Sequence, residues 1–113
     1  RDRIGNLISK LKKIVIKKNM GWCNDPVSKD YNKLIKFPFP FSAEKLFKKD
    51  NTYDIILVLS YNTNPVKPNK GSAIFLHIAR KDFRSTEGCV AIKKKELKFI
   101  SSFVNKKTLV KII

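Results

Sequence analysis

The stretch "SAIFLHIA", residues 72–79, is an apolar run with β-branched members, and its length suits one buried strand. Alternation along it puts Phe75, His77 and Ala79 on one face and Ile74, Leu76 and Ile78 on the other. Upstream, "YDIILVLSYN" (Tyr53–Asn62) has the same character. Between the two lies "TNPVKPNKG", where Pro65, Pro68 and Gly71 dictate a loop. Downstream, a polar turn "RKDFRSTEG" leads to a third short strand, "CVAI". The segment "KKKELKFISSFVNK" then puts Leu97, Ile100, Phe103 and Val104 on one face of a helix of about three turns, and "TLVKII" closes as a last strand.

The first half is less regular. In residues 1–20, Ile4, Leu7, Ile8, Leu11 and Val15 recur at helical spacing with lysines between them, as in a cationic amphipathic helix. Gly5 and the β-branched run "KIVIKK" oppose that reading, and a short strand is expected over about 13–18. "GWCNDPVSKDYN" (Gly21–Asn32) has the turn chemistry of a loop. "FPFPF" (Phe37–Phe41) excludes helix and forces an extended path. Ser42 is placed to cap a short helix, "AEKLFKKD", before "NTYD" turns the chain. The sum is one α+β domain over residues 1–113, a β-rich core with two short helices.

Composition narrows the function classes. An apolar fraction of 42% with eight Phe belongs to a folded protein, and no uncharged apolar stretch is long enough to span a membrane. The net charge of +16 suits a polyanionic partner. Yet all but four of the 25 basic residues are Lys, in a chain rich in Ile and Asn, as AT-rich codons favour. The basic clusters are also scattered and lack interleaved aromatics, so no specific nucleic-acid partner is expected, while an anionic envelope surface remains open. Two cysteines, Cys23 and Cys89, do not form a disulfide framework. With His77 they offer three zinc ligands, but no Cys-x-x-Cys or His-x-Glu spacing accompanies them, and no metal or cofactor is expected.

His77 is the single histidine of the chain. Taken alone it reads as a core residue with satisfied nitrogens, and Cys89 reads as a small buried hydrophobe. Their context opens a second reading. If the strands bearing them pair or neighbour each other, imidazole and sulfur can meet at one end of the sheet. Gly88 removes a side chain beside the sulfur and helps present N–H groups as an oxyanion site. A thiol of ordinary pKa is mostly protonated at neutral pH, so a neighbouring imidazole raises the reactive fraction.

The segment "GSAIFLHIA…STEGCVAI" resembles the L,D-transpeptidase (YkuD-type) catalytic domain, and within it the branch whose nucleophile lies in a Thr-Glu-Gly-Cys-Val-Ala motif. "GWCNDP…YN" and the "FPF" stretch resemble the same branch in the same order, so the likeness runs from about Gly21 to about Leu97. The resemblance implies an envelope or periplasmic enzyme acting as a monomer on peptidoglycan stem peptides. It implies Cys89 as nucleophile, His77 as its base, and Thr86, Glu87 and Gly88 as the motif around an oxyanion site. With water as acceptor the same site would be an L,D-carboxypeptidase. A non-enzymatic protein that binds nucleic acid or a membrane surface is the alternative from another class.

Two departures from the family pattern stand out. Most members carry Ser-His-Gly-Cys and an Arg two residues after the cysteine, whereas this chain has Thr86-Glu87-Gly88-Cys89 followed by Val90 and Ala91. Arg80 or Arg84 is the candidate substitute for that contact, and Ser85 stands where the branch has Pro. The usual N-terminal part of the domain is also missing, so the chain is expected to be an N-terminally truncated fragment. Trp22, Asp25, Tyr31 and Tyr61 either line the substrate cleft or fasten their loops to the core. Glu87 either steers an amine or holds the turn. Cys23 is expected to be buried or distant from the site.

Overall fold

The computed structural model describes residues 1–5, 7–63, 65–79 and 90–110. Among these, two three-stranded sheets and one α-helix make the expected α+β architecture. The first sheet has β1 (Met20–Cys23) at its centre, with β2 (Leu34–Lys36) and β3 (Ala43–Lys45) antiparallel on either side. The second has β5 (Phe75–Ile78) at its centre, antiparallel to β4 (Ile56–Val58) and parallel to β6 (Val90–Ile92). Helix α1 (Lys94–Phe103) follows β6 and packs on β5.

β5 holds the two halves together because both of its faces are buried. Phe75 joins Met20, Leu46 and Tyr53 in one core cluster, while Leu76 and Ile78 join Ile55 and Leu97 in the other, beneath α1. The alternation expected from "AIFLHIA" is therefore the partition of the core. Each large apolar side chain so buried contributes roughly 1.5–3 kcal/mol relative to exposure.

Several local expectations give way to tertiary pairing. Residues 43–50 are not helical: Ala43–Lys45 complete the ladder on β1, and the Ser42 hydroxyl donates to Asn24 Oδ1 at 2.7 Å instead of capping a helix. An eight-residue helix is marginal by itself, and a strand that also delivers Leu46 to the core prevails. Of the two expected helices only the one over Lys94–Phe103 forms, and a 3-10 turn stands separately at Asp2–Ile4. The run at 13–18 forms no strand; Ile14 and Val15 are exposed and only Ile16 reaches the core. The ladder starts instead at Met20 and runs on to Cys23, into the segment read as a loop. Gly21 permits this, since a Cβ there would sit 2.6 Å from the Phe37 ring. "YDIILVLSYN" contributes only three ladder residues, and Thr108–Val110 of the supposed last strand are not in a strand. Residues 111–113 lie outside the described residues.

Candidate functional site

His77 is the third residue of β5, paired with Ile56 on one side and Ala91 on the other, and it is 4% exposed. Its ring meets that of Tyr53 edge-on at 5.5 Å. Nδ1 lies 3.0 Å from the Ile78 carbonyl oxygen. A carbonyl only accepts, so Nδ1 carries the hydrogen and donates it. The neutral ring therefore keeps its lone pair on Nε2, the nitrogen able to take a proton.

The Tyr53 ring is held in turn. Its hydroxyl donates to Glu44 Oε1 on β3 at 2.5 Å, and Lys48 Nζ lies over the ring, 4.5 Å from its centroid. Tyr53 also touches Phe75, which touches Trp22, with centroids 5.9 and 5.2 Å apart. Trp22, Phe75, Tyr53 and His77 thus form one aromatic row from β1 to β5, and the imidazole ends it.

The other candidate residues are placed as follows. Trp22 is half-buried and donates through Nε1 to Asn32 Oδ1 at 2.9 Å. Asp25 accepts from the Val27 and Ser42 amides, one with each carboxylate oxygen. The Tyr31 hydroxyl accepts from the Gly71 amide at 3.2 Å and is otherwise buried. Tyr61 is exposed, with its ring over Gly71; a Cβ on that glycine would come within 2.9 Å of it. Cys23 is fully buried, a free thiol with its sulfur 3.9 Å from the Asp25 carbonyl oxygen. Arg80, Arg84, Ser85, Thr86, Glu87, Gly88 and Cys89 lie outside the described residues.

One residue at this junction escaped the sequence reading. Asn32 is buried with φ of 58°, in the left-handed region that asparagine tolerates. Its Oδ1 accepts from Trp22 Nε1 and the Ala73 amide, and its Nδ2 donates to the carbonyls of Tyr61 and Asn62. All four hydrogen-bonding positions of the amide are used. Asn32 therefore ties β1 to the loop that delivers β5, and so positions the strand that bears His77. The turn-forming "DYN" was its one visible signal.

A cavity of about 410 Å³ is walled chiefly by apolar side chains, among them Leu7, Leu11, Ile14, Trp22, Leu57 and Phe75. Trp22 and Phe75 of the aromatic row line it, whereas Tyr53 and His77 do not. Among the described residues, no group of three His, Cys, Asp or Glu side chains is placed to hold a metal ion, and no helix is long and apolar enough to cross a membrane.

The model of the L,D-transpeptidase catalytic domain family (YkuD) matches residues 11–112. The chain belongs to that family. The match runs from the segment before β1 to beyond α1, so both sheets of this YkuD domain fall inside it. No match to a curated protein or to a solved structure reaches significance. Proteins of this family are typically cell-envelope associated and cysteine-dependent, and act on peptidoglycan peptides.

Proposed function

We propose that this YkuD domain is a monomeric peptidoglycan L,D-transpeptidase of the cell envelope, with Cys89 as nucleophile and His77 as its base. The observation that carries the reading is the parallel pairing of β5 with β6 in the register His77↔Ala91. Cys89 is bonded directly to Val90, so chain connectivity keeps its Cα within about 3.8 Å of the Val90 Cα. Ala91, the residue beside His77 in that register, is two positions along the chain from Cys89. Val90 and Ile92 pack in the cluster beneath α1.

On this reading His77 Nε2 takes the thiol proton as sulfur attacks the carbonyl between an L-centre and a D-residue of a stem peptide. A C–S bond forms, the oxyanion is held by the Gly88 and Cys89 amides, and the C–N bond breaks. The imidazolium returns its proton to the departing D-amino acid, leaving a thioester. An amine from a second stem then displaces the sulfur and completes the cross-link. Water in that amine's place would make the product a trimmed stem.

The remaining roles divide by what each side chain already does. Trp22, Asp25 and Tyr31 have their polar atoms committed within the fold, and they position the loop. Tyr61 keeps an exposed ring and is the candidate for stem-peptide contact, together with Arg80. Thr86 and Glu87 are proposed as part of the nucleophile motif, with Glu87 either steering an amine or holding the turn.

The test is covalent capture. A carbapenem should add its mass to the protein through Cys89, seen in an intact-mass spectrum and mapped by peptide digestion, and Cys89→Ala should abolish the adduct. An adduct that survives Cys89→Ala, or none on the parent protein, would reject the reading.

A further inference from the structure

The outer face of α1 carries two largely exposed aromatic rings. Leu97 and Ser101 are fully buried, and at about 100° per residue Lys95 and Phe99 stand opposite Leu97. Phe99 is 67% exposed and Phe103 is 51% exposed. Their rings meet at 5.2 Å, four residues apart along the helix, and form one apolar spot. The expectation that Phe103 would share the inward face with Leu97 is corrected here. Six exposed lysines lie between Lys93 and Lys107, with Glu96 as the sole acid in that span.

A solvated helix face would carry the lysines without the rings. Rings and ammonium groups together match the boundary of an anionic bilayer, where aromatic side chains enter the acyl edge and lysine heads stay among the phosphates. We propose that α1 is a docking surface for an anionic phospholipid bilayer, with Phe99 and Phe103 inserting and the surrounding lysines meeting the headgroups. Each lysine held near such a surface strengthens binding by about five-fold, so a few of them give useful affinity without a membrane-spanning segment. A single-stranded nucleic acid is matched less well, because the Phe99 and Phe103 rings are inclined at 60° and offer no parallel platforms for successive bases. The proposal rests on α1 alone and is independent of the chemistry assigned to Cys89.

The test is sedimentation with phosphatidylcholine vesicles, with and without phosphatidylglycerol, at low and at physiological salt. The protein should bind only the vesicles containing phosphatidylglycerol, and Phe99→Ser/Phe103→Ser should weaken that binding by about ten-fold or more. Lys95→Glu/Lys98→Glu should weaken it further at low salt than at physiological salt, where screening already diminishes the charge term. Circular dichroism checks that these exposed substitutions leave the fold unchanged. Binding by Phe99→Ser/Phe103→Ser as tight as the parent's would overturn the proposal, because it would reduce the effect to overall charge. So would a parent protein that ignores the anionic vesicles, or one that a short single-stranded DNA displaces from them through the same two rings.

Discussion

Replacing Asn32 should unfasten the strand that bears His77, and the size of the effect follows from its four hydrogen bonds. In Asn32→Ala, Trp22 Nε1 and the Ala73 amide lose their acceptor, while the Tyr61 and Asn62 carbonyls lose their donor. A typical net bond contributes about 1 kcal/mol. Tyr61 and Asn62 lie near the surface, so water replaces part of their loss, which leaves about 2–3 kcal/mol. The φ of 58° adds about 1 kcal/mol, because alanine resists the left-handed region more than asparagine does. The total of about 3–4 kcal/mol is a large share of the stability of a domain this size, and lowers Tm by roughly 10–20 °C. Asn32→Gly removes the same hydrogen bonds without the conformational penalty. It should therefore melt above Asn32→Ala, the reverse of the usual order of these two residues. Thermal and urea unfolding followed by circular dichroism measure both. An Asn32→Ala protein melting within about 3 °C of the parent, or one outlasting Asn32→Gly, would refute the account.

Gly21→Ala should cost about 1–3 kcal/mol, read by urea unfolding, because its methyl group would press on the Phe37 ring from 2.6 Å. Leu97→Ala, at a fully buried position where α1 meets β5, should cost about 2.7–5 kcal/mol in the same assay. Replacing His77 by Gln keeps a polar side chain of similar reach but removes the proposed base. Acylation by a carbapenem should slow by about 10²–10⁴-fold in stopped-flow or mass-resolved kinetics, with the Tm little changed by comparison.

What the sequence shows of the fold depends on whether the signal is local. The alternation in "AIFLHIA" is carried by the residues themselves, and it divides β5 between two clusters as read. The helix over "KKELKFISSF" is legible for the same reason. Strand ends are not, because apolar character in "YDIILVLSYN" says that a segment is buried, not where its ladder partner stops. β1 and β3 are the clearer failures. "MGWC" carries a glycine and runs into turn chemistry, and "SAEKL" imitates a capped helix. Each becomes a strand because the other offers an edge to pair with, a fact that lies about twenty residues away in either sequence.

The site divides along the same line. That a lone histidine on a strand faces Phe75's side of the sheet was readable from alternation. That its Nδ1 hydrogen is spent on the Ile78 carbonyl, leaving Nε2 as the proton acceptor, needed the backbone's position. Asn32 makes the point more sharply, since its partners Tyr61, Asn62 and Ala73 are 29 to 41 residues away, and no window centred on Asn32 contains them. The aromatic row joins the same distant segments, with Phe75 touching both Trp22 and Tyr53. A histidine set by the Ile78 carbonyl and packed against a tyrosine that Glu44 holds can rotate little, and in the proposed role of base it would lose little entropy on meeting a thiol. Among the described residues, Tyr53 and Asn32 are therefore side chains whose loss should loosen the imidazole while leaving its chemistry intact.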